Sequence, residues 1–394
     1  MFKALLSRLG IENYPENFAD FYDKVPPVSV LDTKNIERLE ARFGVFGEYT
    51  EKLISATEDL KKNEDLLTFA ETALVYLYSC NGRCDAPRLK LAEIKEDSPL
   101  RYYPALILAA LLPKGIMEYE RRGFSETEIY QNLHGTFGAR IAMSERLSGL
   151  TGLDSAGFGW LRLYCYAEVF KAGVFNVTPK ALPEKTVVLR NKEKRNSVIL
   201  VTDGLFHKSG KPLGNAECTD PEGSFSVSYT EKSDEFIGYP CINACVSPVP
   251  VSYKKAEWEI ALKNGDGVAG IHIPRGADLS HDAMWESFRL SLKMTRERYP
   301  EFSAKGIHCS TWMLDPRLTE LLGERSRLSG FVNAFEKFPK RCGGDAVFTF
   351  VFNGKPKNLA DLEEDTSLQK KIKEIYLRGG AINIHGGIIT DLLI

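Results

Sequence analysis

Residues 265–315 read GDGVAGIHIPRGADLSHDAMWESFRLSLKMTRERYPEFSAKGIHCSTWMLD, and their pattern decides the fold. Residues 268–273 are a short apolar, partly β-branched run that stops at Pro274, which cannot donate to a sheet ladder. Arg275 and Gly276 make a turn, and Ser280 stands where a helix N-cap is needed. Beyond it Met284, Trp285, Phe288, Leu292 and Tyr299 recur at helical spacing, giving one apolar face that Pro300 closes. A second apolar run, residues 306–313, completes strand, loop, helix, strand. In such a crossover unit ligands gather where the first strand hands over to the helix. The helix N-terminus beside Arg275 and Gly276 suits a phosphate group, although Asp278 and Asp282 already complement the helix dipole there. The alternative reading of these residues is a plain strand-to-helix connection.

Upstream, residues 257–262, the turn Asn264-Gly265-Asp266-Gly267 and residues 268–273 carry the chemistry of a β-hairpin. Strand-like runs at residues 186–190, 198–206, 225–229 and 236–239 are separated by loops rich in Gly, Pro, Asp and Ser. Residues 1 to about 175 have a helical texture, with a capping box of Ser125 and Glu128 before a helix reaching about residue 147. Residues 156–173 read as a last helix stopped by Gly173, and Pro179 and Pro183 punctuate a linker. Downstream, residues 325–338 read as a helix, 346–352 as a strand and 359–376 as a charged helix. The fold class expected is α+β (mixed α/β): a helical N-terminal domain at residues 1–150 and a mixed-sheet domain at residues 151–394.

The 394 residues are 43% hydrophobic and 26% charged, enough for sizeable cores in two domains. Net charge is −2 with both signs mixed along the chain, and no basic block points to nucleic acid. The N-terminal apolar residues Phe2, Leu5, Leu6 and Leu9 follow a helical period, not a secretory one. The longest apolar run, residues 102–117, is short for a membrane span and holds Pro104, Pro113 and Lys114. A cytoplasmic protein without a membrane partner is expected. Of eight cysteines, the pairs Cys80/Cys84 and Cys241/Cys245 have a spacing that zinc tolerates. No histidine lies near either pair, so free thiols and no metal are expected.

GDGVAG, residues 265–270, fits the dinucleotide spelling, but a strand follows it where a helix is required. Walker, nucleophile-elbow and H-E-x-x-H patterns are absent. Among the six histidines, His272 lies two residues before the strand break and shares a pleat face with Gly270, leaving room for a ligand. His308, Ser310 and Trp312 share one face of the second strand, with Asp315 just past its end. If the two strands are neighbours, His272 approaches Ser310 or Asp315 and serves as a general base. The alternative is a buried polar network with Asp315 as a helix cap.

GVAGIHIPRGADLS, CSTWMLDPRLTELL, GYPCIN and GLDSAGFGWLRLY, together in one chain, resemble bacterial acyltransferase-domain proteins. These join a helical N-acyltransferase-type N-terminal domain to a GNAT-like C-terminal domain, and the resemblance covers nearly the whole length. It implies that residues 268–273 are similar to the GNAT fourth strand, whose backbone, here including Ile271 and Ile273, pairs with the pantetheine arm of CoA. The loop bearing Arg275, Gly276, Ala277 and Ser280 would take the pyrophosphate. Residues 306–313 would be the fifth strand, splayed to admit the thioester. The loop has one glycine where the GNAT signature has two, and Phe335 stands where many of these enzymes place a tyrosine general acid.

The resemblance implies transfer of an acyl group, acetyl foremost, from acetyl-CoA or another acyl-CoA as co-substrate to an amine of a small molecule. His272 is the expected base, with Asp315 or Ser310 orienting it. The alternative is a catalytically silent GNAT-like module that binds acyl-CoA or a protein partner. A hydrolase built on His308 and Ser310 lacks its nucleophile elbow.

Overall fold

The structure, a computed structural model, describes residues 2–82, 89–390 and 392. Contacts divide the chain into two compact units, Met1–Phe170 and Lys171–Ile394.

The first unit is helical: α1 (Phe2–Arg8), α2 (Thr33–Phe43), α3 (Thr50–Lys61), α4 (Glu64–Ser79), α5 (Tyr103–Arg121), α6 (Glu126–Leu133), α7 (Thr136–Ser148) and α8 (Ser155–Leu161). Local chemistry sets the ends. Asp32 and Asn63 cap α2 and α4 through their side chains, and Gly44 leaves α2 at a φ of 59°. The Ser125/Glu128 capping box forms as expected. The helix it starts ends at Leu133, because Gly135 takes a φ of 68° and α7 begins afresh. The apolar run near residue 110 becomes α5, buried along nearly its whole length. Among the described residues no helix is long and apolar enough to cross a membrane.

The second unit begins earlier in strand than the sequence suggests. The helix of residue 156 onwards stops at Leu161 and the chain enters β1 (Phe170–Ala172), with Gly173 at a φ of 59° turning it into β2 (Phe175–Ala181). The expected linker is therefore a strand. Pro179 is tolerated in β2 because β1 is only three residues long, leaving that edge open beyond it. There follow β3 (Thr186–Asn191), β4 (Ser197–Val201), β5 (Asp203–Phe206), β6 (Phe225–Ser228), β7 (Thr230–Glu231), β8 (Glu235–Ile242), β9 (Cys245–Val246), β10 (Val251–Lys254), β11 (Trp258–Lys263) and β12 (Gly267–His272). Next come α9 (His281–Arg298), β13 (Gly306–Thr311), α10 (Arg317–Leu322), α11 (Arg327–Asn333), β14 (Glu336–Pro339), α12 (Ala346–Val351), α13 (Ser367–Leu377) and β15 (His385–Ile389).

These strands form a six-stranded sheet, β1-β2-β12-β13-β15-β14, and a second sheet whose main path is β10-β8-β4-β3-β11; β5 and β6 pair by themselves. The crossover unit is present: β12 and β13 are parallel and adjacent, joined by α9. Phe288 of α9 stacks on Phe175 of β2 at 5.1 Å between ring centres, and Phe331 and Phe335 close the cluster. On the opposite face Val268, Leu182, Phe338 and Ile388 meet Val188, Ile199 and Leu262 of the second sheet. The core thus lies on both faces of β12.

Three further expectations change. The expected hairpin at residues 257–273 is not one: β11 pairs with β3 and β12 with β2, so the Asn264–Gly267 turn passes the chain between sheets. Asn264 fixes that turn by donating to the carbonyls of Leu182 and Glu184. Gly267 begins β12 so close to the Phe302 carbonyl oxygen that a Cβ would stand 1.7 Å from it. Residues 325–338 split into α11 and β14. The apolar run from residue 346 is the helix α12, whose Val347 and Phe348 pack with Ile372 and Tyr376 of α13. Cys84 lies outside the described residues; Cys80 is buried, and Cys241 and Cys245 are half-buried.

Candidate functional site

Strands β12 and β13 pair over four residues, Val268↔Gly306 through Ile271↔Cys309, and then part. Past that point His272 stands opposite Asn176 of β2, and Ser310 and Thr311 opposite Gly386 and His385 of β15. At the end of the pairing the Cys309 thiol donates to the Ile271 carbonyl oxygen at 3.5 Å. A wedge therefore opens at the carboxyl ends of two parallel strands. Ile271 is its buried floor, and His272 and Ile273 are half-buried at its mouth.

The loop after Pro274 rises beside this wedge. The Ala277 amide donates to the Pro274 carbonyl, Gly276 takes a φ of 80°, and Arg275 and Gly276 are exposed. Ser280 occupies the N-cap of α9, yet its hydroxyl donates to Asp278 at 3.0 Å and does not cap the helix. Arg327 pairs with the same Asp278 at 3.1 Å. The first-turn amides of α9 are thus left without a side-chain cap, the condition for anion binding at a helix N-terminus. A groove of about 420 Å³ adjoins this end, lined by His281, Trp285, Arg325, Ser326 and Asn333 among others.

Strand register places Asn176, Thr178, Gly270, His272, His308 and Ser310 on one face of the sheet. His272 Nε2 lies 3.1 Å from the Thr178 hydroxyl. Ser310, exposed at the mouth, accepts a hydrogen bond from Lys340 Nζ at 2.9 Å. Lys340 also donates to Glu184 Oε1 at 2.8 Å. The other Glu184 oxygen is 3.0 Å from His308 Nε2, out of hydrogen-bond alignment, and His308 is fully buried. Asp315 is 2% exposed and holds Arg317 at 3.0 Å and the Asn383 amide at 2.7 Å. The three candidates for chemistry thus have separate partners: Thr178 for His272, Lys340 for Ser310 and Arg317 for Asp315.

Thr178, Glu184 and Lys340 do not stand out in the sequence. The alternation Asn176-Thr178-Lys180 against Phe175-Val177 would have signalled β2 had Pro179 not interrupted it. Nothing local marks Glu184 or Lys340, which tertiary pairing brings to β13.

Burial pushes the Glu184 carboxyl up, but His308 and Lys340 beside it outweigh that and hold it at about 2. Burial pushes the His308 imidazole below its ordinary value, with Glu184 pulling the other way. Both shifts have one sign: the unfolded chain binds more protons, so stability falls with pH, through His308 from about 6.5 downward and through Glu184 from about 4.5 to about 2. Glu184→Gln is expected to cost about 2 kcal/mol at neutral pH, discounted for partial exposure, and to flatten the lower part of that slope. Urea unfolding across pH measures both.

The uncapped start of α9, the end of the β12–β13 pairing and His272 thus lie at one end of the crossover unit. Residues 169–389 match the family model described as a GNAT-like C-terminal domain. No curated protein matches the sequence. In fold the chain is similar to solved structures of an acyltransferase in complex with decanoyl-CoA (19% identity, 98% of each chain covered, TM-score 0.65). It is also similar to an acyltransferase with decanoyl-CoA and teicoplanin (16%, 99% of each chain, 0.65) and to an acyltransferase mutant with octanoyl-CoA (15%, 98% of each chain, 0.65).

Proposed function

Because this chain belongs to the family with a GNAT-like C-terminal domain, we propose that it transfers an acyl group from acyl-CoA to an amine of a small-molecule acceptor. The parting of β12 from β13 after Ile271 and Cys309 carries this reading. The strand ends beyond the β12–β13 pairing suit the amides of a pantetheine arm, and the uncapped start of α9 suits the diphosphate. Ile271, Ile273, Arg275, Gly276, Ala277 and Ser280 are the donor-binding residues of this proposal.

The acceptor amine must lose a proton to attack, and His272 at the mouth is the base, its ring oriented by Thr178. A strand amide facing the thioester carbonyl stabilises the developing oxyanion. The octanoyl and decanoyl thioesters of the similar structures support a donor longer than acetyl. Calorimetry with acetyl-CoA and decanoyl-CoA, followed by mass-spectrometric turnover over an amine panel, tests the reading. Binding with amide formation is expected; absence of binding for both donors removes it.

A second reading, an acyl-CoA-binding module without turnover, draws on Phe335. This residue is buried against Phe288 and Phe331 and offers no hydroxyl where a tyrosine acid would serve. Binding with no product across the panel would select it.

A further inference from the structure

Cleavage of a thioester leaves a thiolate, and Phe335 supplies nothing to receive it. The same wedge holds another group. Ser310 is the first residue of β13 beyond its last pairing with β12, and its side chain is exposed at the opening. Its oxygen accepts from Lys340 Nζ at 2.9 Å, so its own proton points away from the ammonium and remains available to an incoming acceptor. Lys340 is held in place from two directions. Glu184 accepts from its Nζ at 2.8 Å, and the buried Asn215 brackets its backbone, donating to the Lys340 carbonyl at 3.0 Å and accepting from the Cys342 amide at 3.0 Å. A hydroxyl backed by a fixed cation is a stronger donor than a free one.

We propose that Ser310, with Lys340 behind it, binds the sulfur of CoA as it leaves; this rests on the acyl-CoA reading above. The acceptor nitrogen forms its bond to the carbonyl carbon and its proton passes to His272. The C–S bond breaks, and the electron pair stays on sulfur, which takes the Ser310 O–H as a hydrogen-bond donor and sits near the Lys340 charge. The thiolate gains its proton from water on release and His272 returns one to water, so the protons balance. Ser310 touches the reacting sulfur. Lys340 acts through it and is a positioning residue.

The consequence is measurable without turnover, in the complex with free CoA. The bound thiol ionises more readily than CoA in solution, seen as thiolate absorbance in difference spectra against CoA-free protein over pH. The wild-type complex is expected to hold about ten times the thiolate-to-thiol ratio of Ser310→Ala at the same pH, a shift of about one unit. Lys340→Met loses the same effect and Lys340→Arg keeps part of it. In steady state with decanoyl-CoA, Ser310→Ala lowers kcat about a hundredfold with little change in KM, the loss typical of one oxyanion donor.

The exposed position of Ser310 lets the alanine variant fold even if Lys340→Met does not. Equal thiol ionisation in wild type and Ser310→Ala, with CoA bound to both, overturns the inference and leaves the acyl-CoA reading standing. Failure of the wild type to bind CoA overturns both.

Discussion

Alanine in place of His272 is expected to lower kcat/KM with decanoyl-CoA by a hundredfold to a thousandfold, at an unchanged melting temperature. A primary amine with an ordinary pKa near that of lysine, about 10.4, is almost wholly protonated at neutral pH, and a positioned base contributes about 10² to 10⁴. His272 stands half-buried at the end of β12, where pairing to β13 has ceased, and its Nε2 is 3.1 Å from the Thr178 hydroxyl. Its side chain is half-buried at the strand end, so its replacement is expected to leave the packing intact. Steady-state kinetics beside calorimetric melting separate the outcomes. A variant that melts normally and turns over at the wild-type rate excludes His272 as the base. Thr178→Val is then the informative partner, since it removes the hydroxyl beside the ring and keeps the shape.

Asp315→Ala is expected to act in the opposite manner, on stability first. The carboxylate is buried and takes up its whole capacity in the structure. It accepts from the Arg317 amide at 3.1 Å, from the Arg317 side chain at 3.0 and 3.2 Å, and from the Asn383 amide at 2.7 Å. Arg317 keeps Glu217 at 3.0 Å, but the Asn383 amide loses its acceptor and the inner edge of the guanidinium loses its anion. Breaking a buried pair by removing one partner costs about 3 to 5 kcal/mol. In a domain of this size that lowers the melting point by about 10 °C. Asp315→Asn, which keeps one acceptor, should fall between. A normal melting curve with lost turnover would instead make Asp315 part of the chemistry at His272.

The contrast between these residues shows what a sequence can convey. The crossover was legible because its signals are local: an apolar run stopped by Pro274, a helical stripe from Met284 to Tyr299 and a second apolar run. The wedge followed from the same stretch together with the resemblance of its motifs. Partnerships across the chain were not legible. Asn264-Gly265 specifies a turn but not which sheet receives the next strand, so a hairpin was expected where the chain changes sheets. Pro179 disguised β2, because a central strand excludes proline and nothing in the sequence tells that β1 ends too soon to need its amide. The run at residue 346 is aromatic enough for a strand, and only its packing on α13 makes it a helix. Lys340 belongs to the site through Ser310, Glu184 and Asn215, all distant from it in sequence.

Gly267 sets a boundary on how this protein can diversify. The surface loops between strands can lengthen or change composition through mutational drift at little cost. At this one joint, where the backbone crosses from one layer to the next and begins β12, the Phe302 carbonyl leaves no volume even for a methyl group. Descendants of the chain that keep the wedge must therefore keep a hydrogen atom as the side chain here, and those that lose it have to rebuild the corner around Phe302.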